Sequence, residues 1–182
     1  MNQWILTKFY TPWEHVVIDN FLPEKLFKTL LIAIRKKDFV FENKKHYSNF
    51  KLDYYEQFEK KEVTNFFKQH INETFISEHF SISRKYSNLK SHFDFQIMNK
   101  TGNSSIHCDL EEKIITSVFY IHPKVNIGTS LYDINKNYIK TIDWIPNRAL
   151  IFCPLTDITW HSYKNESFPF RATLNFNLLS SN

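Results

Sequence analysis

The segment that most constrains this chain is its last apolar run, "RATLNFNLL". Side chains alternate along a strand, so Arg171, Thr173, Asn175 and Asn177 share one face, and Ala172, Leu174, Phe176 and Leu178 share the other. The apolar face has to be covered by a packed layer. The opposite face carries a cation and three polar groups, which suits either an outer surface or the inner wall of a barrel that holds a polar ligand. Similar short segments recur from Ser91 onward: "HFDFQIM", "IITSVFYIH", "SLYDI", "ALIFCP" and "ITWHSY". Turn formers separate them at 99–102, 126–128 and 146–147. In "IITSVFYIH", Ile114, Thr116, Val118, Tyr120 and His122 fall on one face, and Ile115, Ser117, Phe119 and Ile121 on the other.

The first half reads differently. "HVVIDNF" predicts a short strand, and "LPEKLFKTLLIAIRKK" predicts a helix, with Pro23 in its first turn and Leu22, Leu26, Leu30 and Ile34 at helical spacing. A second helix is expected through "YEQFEKKEVTNFFKQHINETFI", its stripe formed by Tyr55, Phe58, Phe66, Ile71 and Phe75. Strands gathered behind a helical block predict an α+β chain with a mainly β core: a double-stranded β-helix, or jelly roll, with N-terminal helices packed on one sheet. No linker composition interrupts the 182 residues, so one domain is expected over 1–182, helical support to about 90 and the jelly-roll core from about 91.

Composition removes several classes of function. With 2 glycines and no GxGxxG or GxxxxGK[ST], a glycine-rich phosphate loop is excluded. A net charge of +4, with its Lys-Lys pairs scattered, falls short of a nucleic-acid-binding stripe. Cys108 and Cys153 make no disulfide framework and read as packing residues. No apolar run approaches the ~18 residues of a membrane span, and no leader pattern opens the chain, so a cytoplasmic location is expected.

Two His-x-Asp pairs carry the chemistry: His92-Phe93-Asp94 and His107-Cys108-Asp109. Side chains two apart on a strand project to the same side and can reach one ion. Oxygen-activating iron(II) sites use two histidines and one carboxylate and leave positions open. His161 in "ITWHSYK", far downstream, offers the third ligand, and Arg171 opens the following strand, where a guanidinium can grip a carboxylate bidentately. No such partners follow His92 and Asp94 at matching spacing, so they read as the start of an ordinary strand beside the His107 segment.

The ordered set His107-x-Asp109, His161 and Arg171 resembles the iron(II)/2-oxoglutarate-dependent oxygenases, especially their prolyl 4-hydroxylase-like branch. "HVVIDNFLPEKLFKTLL", "IITSVFYIHP", "IGTSLYD", "IPNRALIFCPLTDITWHSY" and "RATLNF" are each similar to segments of that family. The resemblance implies that His107, Asp109 and His161 ligate iron, that Arg171 binds the distal carboxylate of 2-oxoglutarate, and that Thr173 and Tyr120 hydrogen-bond the same cosubstrate. It implies a dioxygenase that uses O₂, with ascorbate as a reductant, and hydroxylates a prolyl-type peptidyl residue, an amino acid or a small molecule, releasing succinate and CO₂. Two departures stand out: Gly128-Thr129 replaces a Gly-Gly pair, and Gln96 and Met98 stand where a tyrosine is frequent. A cupin-like jelly roll that binds metal or ligand without redox chemistry is the alternative from another class. An alkylation-repair nucleic-acid demethylase is disfavoured, because after Arg171 the strand carries Thr173, Asn175 and Asn177 instead of that group's Asn, Thr and Arg.

Overall fold

The computed structural model describes residues 4–35, 47–50, 59–82, 85–99, 102–165 and 170–180. Its elements in chain order are β1 (Ile5–Phe9), β2 (His15–Asp19), α1 (Glu24–Arg35), β3 (Tyr47–Phe50), α2 (Glu59–His70), α3 (Glu73–His79), β4 (Lys90–Asn99), β5 (Asn103–His107), β6 (Lys113–His122), β7 (Thr129–Tyr132), β8 (Tyr138–Ile142), β9 (Ala149–Phe152), β10 (His161–Lys164) and β11 (Phe170–Leu179). A seven-stranded sheet runs β1-β2-β9-β6-β11-β4-β3, and a four-stranded sheet runs β5-β10-β7-β8. Neighbouring strands in both sheets are antiparallel.

The alternation read in β11 and β6 sorts residues into two cores. Ala172, Leu174, Phe176 and Leu178 join Ile115, Phe119 and Ile121 beneath the helices, packed with Leu30, Ile34, Phe67, Ile71 and Phe75. On the opposite side of the large sheet, Val118 and Tyr120 cluster with Trp13, Leu131, Ile142 and Trp144 between the two sheets. The result is three layers, and the polar face of β11 lines the lumen between the sheets. The expected jelly roll with helices against one sheet is the architecture observed.

Local departures have physical causes. The second expected helix is two, α2 and α3, because Asn72 leaves helical geometry at φ −137° and accepts the Phe75 N–H as an N-cap. Tyr55 and Phe58 lie outside the described residues. The first half also contributes β1 and β3, strands too short to show a clear alternation. Asn103–His107 and Tyr138–Ile142 form strands as well, both dominated by polar and exposed positions. Gly128, expected as a turn residue, has no positive φ. A Cβ there would meet the Ile142 carbonyl oxygen at 1.6 Å, so it permits close approach of backbone. Asn147 is the turn residue, with φ 70°, and its amide bridges both the N–H and the carbonyl of Leu22. Cys153 belongs to the helix-side core, and Cys108 is half-buried.

One buried histidine of the β1–β2 junction makes the fold acid-sensitive. His15 is fully buried, stacked on Phe9, and its Nδ1–H donates to the Trp13 carbonyl at 2.8 Å, while Nε2 has no partner among the described residues. Burial, and secondarily the nearby Lys140, lowers its pKa from 6.5 to about 4, although the Trp13 hydrogen bond pulls the other way. The unfolded chain therefore takes up the proton first. His15 contributes full stability above pH 6.5 and loses it progressively as the pH falls toward 4. In thermal melts, the wild-type midpoint should fall by several degrees between neutral pH and pH ~4.5. The His15→Gln variant should lose clearly less over that interval, and parallel losses in the two proteins would exclude His15 as a source.

Candidate active site

Pairing between β5 and β10 sets His107 directly opposite His161, with ring centroids 4.3 Å apart. Asp109 follows β5 by two residues and is tied back to β6: Lys113 Nζ donates to Oδ1 at 2.9 Å, and Thr116 Oγ1 donates to Oδ2 at 2.7 Å. One ligand atom from each of His107, Asp109 and His161 lies within 4.8 Å of the others. Two imidazoles and a carboxylate match the donor set of non-haem iron(II), with coordination positions left open.

Protonation supports ligation. His161 Nδ1 lies 2.9 Å from the Thr159 carbonyl, and His107 Nδ1 lies 2.8 Å from the Ser105 carbonyl. A carbonyl only accepts, so Nδ1 carries the hydrogen in each ring and Nε2 is the nitrogen left to ligate. Burial, and then the neighbouring His107, lowers the His161 pKa to about 4, so its ring stays neutral at physiological pH. Burial pushes the Asp109 carboxyl up, but Lys113, His161 and the two hydrogen bonds outweigh it and leave it ionised below its ordinary value.

A second feature lies along the lumen face of β11. Arg171 is 1% exposed, and its guanidinium carbon sits 4.8 Å from the Trp144 ring centre, 4.6 Å from Tyr163 and 5.9 Å from Tyr120. These rings soften the cation's burial but accept no hydrogen bond in their planes. Among the described residues, Arg171 Nε and Nη2 are buried with no partner, and so is Thr173 Oγ1, two residues further along the same face. Burial lowers the Arg171 pKa against the pull of Tyr120 and Tyr163. A buried cation without a counter-ion is costly, and the cost is relieved when an anion enters. The unmet donors fit a ligand that carries a carboxylate, as 2-oxoglutarate does.

All six residues singled out in the sequence thus face the lumen or its rim. Tyr120 is buried there, stacked on Trp144, and donates its hydroxyl to Thr129 Oγ1 at 2.7 Å. The residue standing in place of a second glycine is therefore the partner of Tyr120. Sequence reasoning missed Tyr163, Trp144 and Lys113, and placed Asn177 on the polar face without a role. Tyr163 was accessible to it, since it lies two residues beyond His161 on the same strand. Trp144 lies on a loop and left no periodic signal. The second His-x-Asp pair sits elsewhere than expected. β4 does not run beside β5 but lies in the large sheet next to β11, with His92 opposite Asn177 and Asp94 opposite Asn175.

No family model matches the sequence, and no curated protein does. Solved structures do match. A prolyl hydroxylase in complex with a hypoxia inducible factor oxygen degradation domain peptide fragment, from Trichoplax adhaerens, superposes with TM-score 0.66 at 13% identity, over 91% of this chain and 83% of that one. A Pseudomonas putida prolyl-4-hydroxylase gives 0.65 at 11% identity, over 92% and 93%. The viral collagen prolyl hydroxylase of Paramecium Bursaria Chlorella virus-1, in its 2OG complex, gives 0.55 at 14% identity, over 92% and 96%. The chain shares its jelly-roll fold with these solved prolyl hydroxylases.

Proposed function

We propose that the chain, as one unit over residues 1–182, is an iron(II)- and 2-oxoglutarate-dependent dioxygenase that hydroxylates a peptidyl residue of prolyl type, an amino acid or another small molecule. The observation that carries this reading is the pairing of a two-histidine, one-carboxylate cluster with a buried, unpaired arginine on one lumen. His107, Asp109 and His161 hold the metal, and Arg171, Thr173 and Tyr120 hold 2-oxoglutarate. Bound there, the two supply the oxidising chemistry, consuming O₂ and releasing succinate and CO₂ as the substrate gains a hydroxyl.

The protein's own part is positioning and exclusion of water. The Thr159 and Ser105 carbonyls fix both imidazole tautomers. Thr116 and Lys113 orient the Asp109 carboxylate and keep it ionised. Trp144, Tyr163 and Tyr120 wall off the Arg171 guanidinium, so its attraction for a carboxylate acts in a dry, low-dielectric setting.

Anaerobic titration of 2-oxoglutarate into protein supplied with iron(II) should produce the visible charge-transfer absorption of the chelate. In air with ascorbate, succinate should then accumulate. Metal uptake without the absorption band would favour the cupin-like alternative. Absence of both 2-oxoglutarate binding and succinate release would sink the oxygenase reading.

A further inference from the structure

A cavity apart from the lumen lies on the helix side of the large sheet. α2 ends at His70, and the Asn72 cap starts α3. Beneath that break, where Ser91 of β4 pairs with Leu178 of β11, helices and sheet enclose a cavity of about 470 Å³. The cause is local. On the helix-side face of β4, Ile97, Phe95 and Phe93 pack into the core, and the next residue toward the strand's start on that face is Ser91. The apolar filling therefore stops one residue pair short of the strand's end. Ile71, Leu178 and the partly buried Leu89 form the apolar floor. None of the candidate metal or cosubstrate residues lines this cavity. Its volume falls within the ~300–1,000 Å³ typical of small-molecule sites.

The rim carries one charge of each sign, and they do not neutralise each other. Lys68 and Glu73 both line the cavity and are exposed, yet among the described residues neither takes part in an ion pair. The Lys68 ammonium stands over β4, 6.0 Å from the centre of the Phe93 ring, at the outer limit of a cation–π contact. Thr74 and Ser91 add two hydroxyls. Asn72 is already committed: its Oδ1 accepts the Phe75 N–H and its Nδ2 donates to the Gln69 carbonyl. A ligand of one charge would find a like charge in the same cavity, which selects against simple anions and simple cations. A molecule with an ammonium and a carboxylate a few bonds apart, and an apolar side chain, complements the whole lining.

We infer that this cavity binds a free α-amino acid with an apolar side chain. Its carboxylate meets Lys68, its ammonium meets Glu73, and its side chain lies on Ile71, Leu89 and Leu178. Both rim charges are solvated, so each contributes modestly, and the floor supplies most of the affinity. The inference does not rest on the oxygenase reading, because the cavity is on the other side of the sheet from the lumen.

NMR titration of the isotope-labelled intact chain reads both affinity and location, and it needs neither metal nor 2-oxoglutarate. The probes are leucine, phenylalanine, glycine, N-acetyl-leucine and leucinamide. Leucine and phenylalanine should bind at least roughly tenfold more tightly than glycine, through the apolar floor. N-acetyl-leucine lacks the ammonium and leucinamide the carboxylate, and each should bind about fivefold more weakly than leucine. The amide signals of Thr74, Leu89 and Ser91 should move, and those of Gln96 and Thr173 in the lumen should not. Glu73→Gln should lower leucine affinity to that of N-acetyl-leucine, and Lys68→Met should lower it to that of leucinamide. Both positions are exposed, and unchanged melting profiles would verify the fold. No binding of leucine or phenylalanine, affinity equal to that of glycine, shifts confined to the lumen, or wild-type leucine affinity in either variant overturns the inference.

Discussion

Arg171→Met should bind 2-oxoglutarate at least a hundredfold more weakly than wild type while retaining its iron. The guanidinium is the only cation described within the Trp144, Tyr163 and Tyr120 walls, and it carries two buried donors that no described residue meets. A hydrogen bond to a charged group contributes about 1.5–3 kcal/mol, so losing a bidentate pair amounts to ~3 kcal/mol or more, about two decades in affinity. The same substitution carries an opposite expectation for stability. Replacing a buried, uncompensated ionic group by a hydrophobic residue of similar volume is often neutral or stabilising by about 1–4 kcal/mol. Without ligand, Arg171→Met should therefore melt at or above the wild-type temperature. Wild type should gain thermal stability on adding 2-oxoglutarate and iron(II), and the variant should gain little from the cosubstrate. Arg171→Lys should fall between them, since a point charge cannot reproduce the planar fork. If Arg171→Met still binds 2-oxoglutarate with wild-type affinity, the anion lies elsewhere.

The second large effect concerns the ligand cluster. Asp109→Ala, His107→Ala and His161→Ala should each lower the iron retained through gel filtration to below about a tenth of wild type, because three ligands leave none to spare. The three should differ in stability. His161 is buried and neutral, so truncating it opens a cavity beside Phe152. Asp109→Ala instead removes the carboxylate that the Lys113 ammonium and the Thr116 hydroxyl hold, while Thr116 keeps Asn177 Oδ1 within reach. Thr116→Val keeps all three ligands but removes the donor that orients Asp109. It should weaken metal binding by roughly ten- to a hundredfold without abolishing it, the usual range for an outer-shell partner. Metal content by elemental analysis and a competitive chelator titration measure both. Metal lost from His92→Ala or Asp94→Ala and kept by His107→Ala would mean that the other His-x-Asp pair is the centre.

Legibility in the sequence followed the strength of periodicity. The two faces of β11 were readable because the strand is 10 residues long and alternates cleanly. β6 is as long but apolar on both faces, and Ile114, placed by alternation with Val118 and Tyr120, packs in the helix-side core where the pairing with β11 slips. Packing enforced the same division, with Leu174 and Phe119 on the helix side and Thr173 and Tyr120 on the other. The split at Asn72 was less visible, since the apolar stripe continues through Ile71 to Phe75 and only the side-chain cap marks the break. β8 was invisible because its outer residues are exposed and its pairing is supplied by β7. Trp144 could not be foreseen: it reaches Arg171 from a loop whose course depends on the strands around it.

Taken alone, the order and spacing of residues determined a strand with one apolar and one polar face, a mainly β second half, and a candidate set of His107, Asp109, His161 and Arg171. Those are properties of chain chemistry and strand period, which act over a few residues. Only the tertiary structure decided that the polar face of β11 lines a lumen, because a face has no inside until a second sheet covers it. It also decided which His-x-Asp pair meets His161. β5 pairs with β10 and brings His107 against His161, whereas β4 pairs with β11 and sets Asp94 against Asn175. Which strands become neighbours depends on long-range burial and register, and those distances are set only when the sheets close.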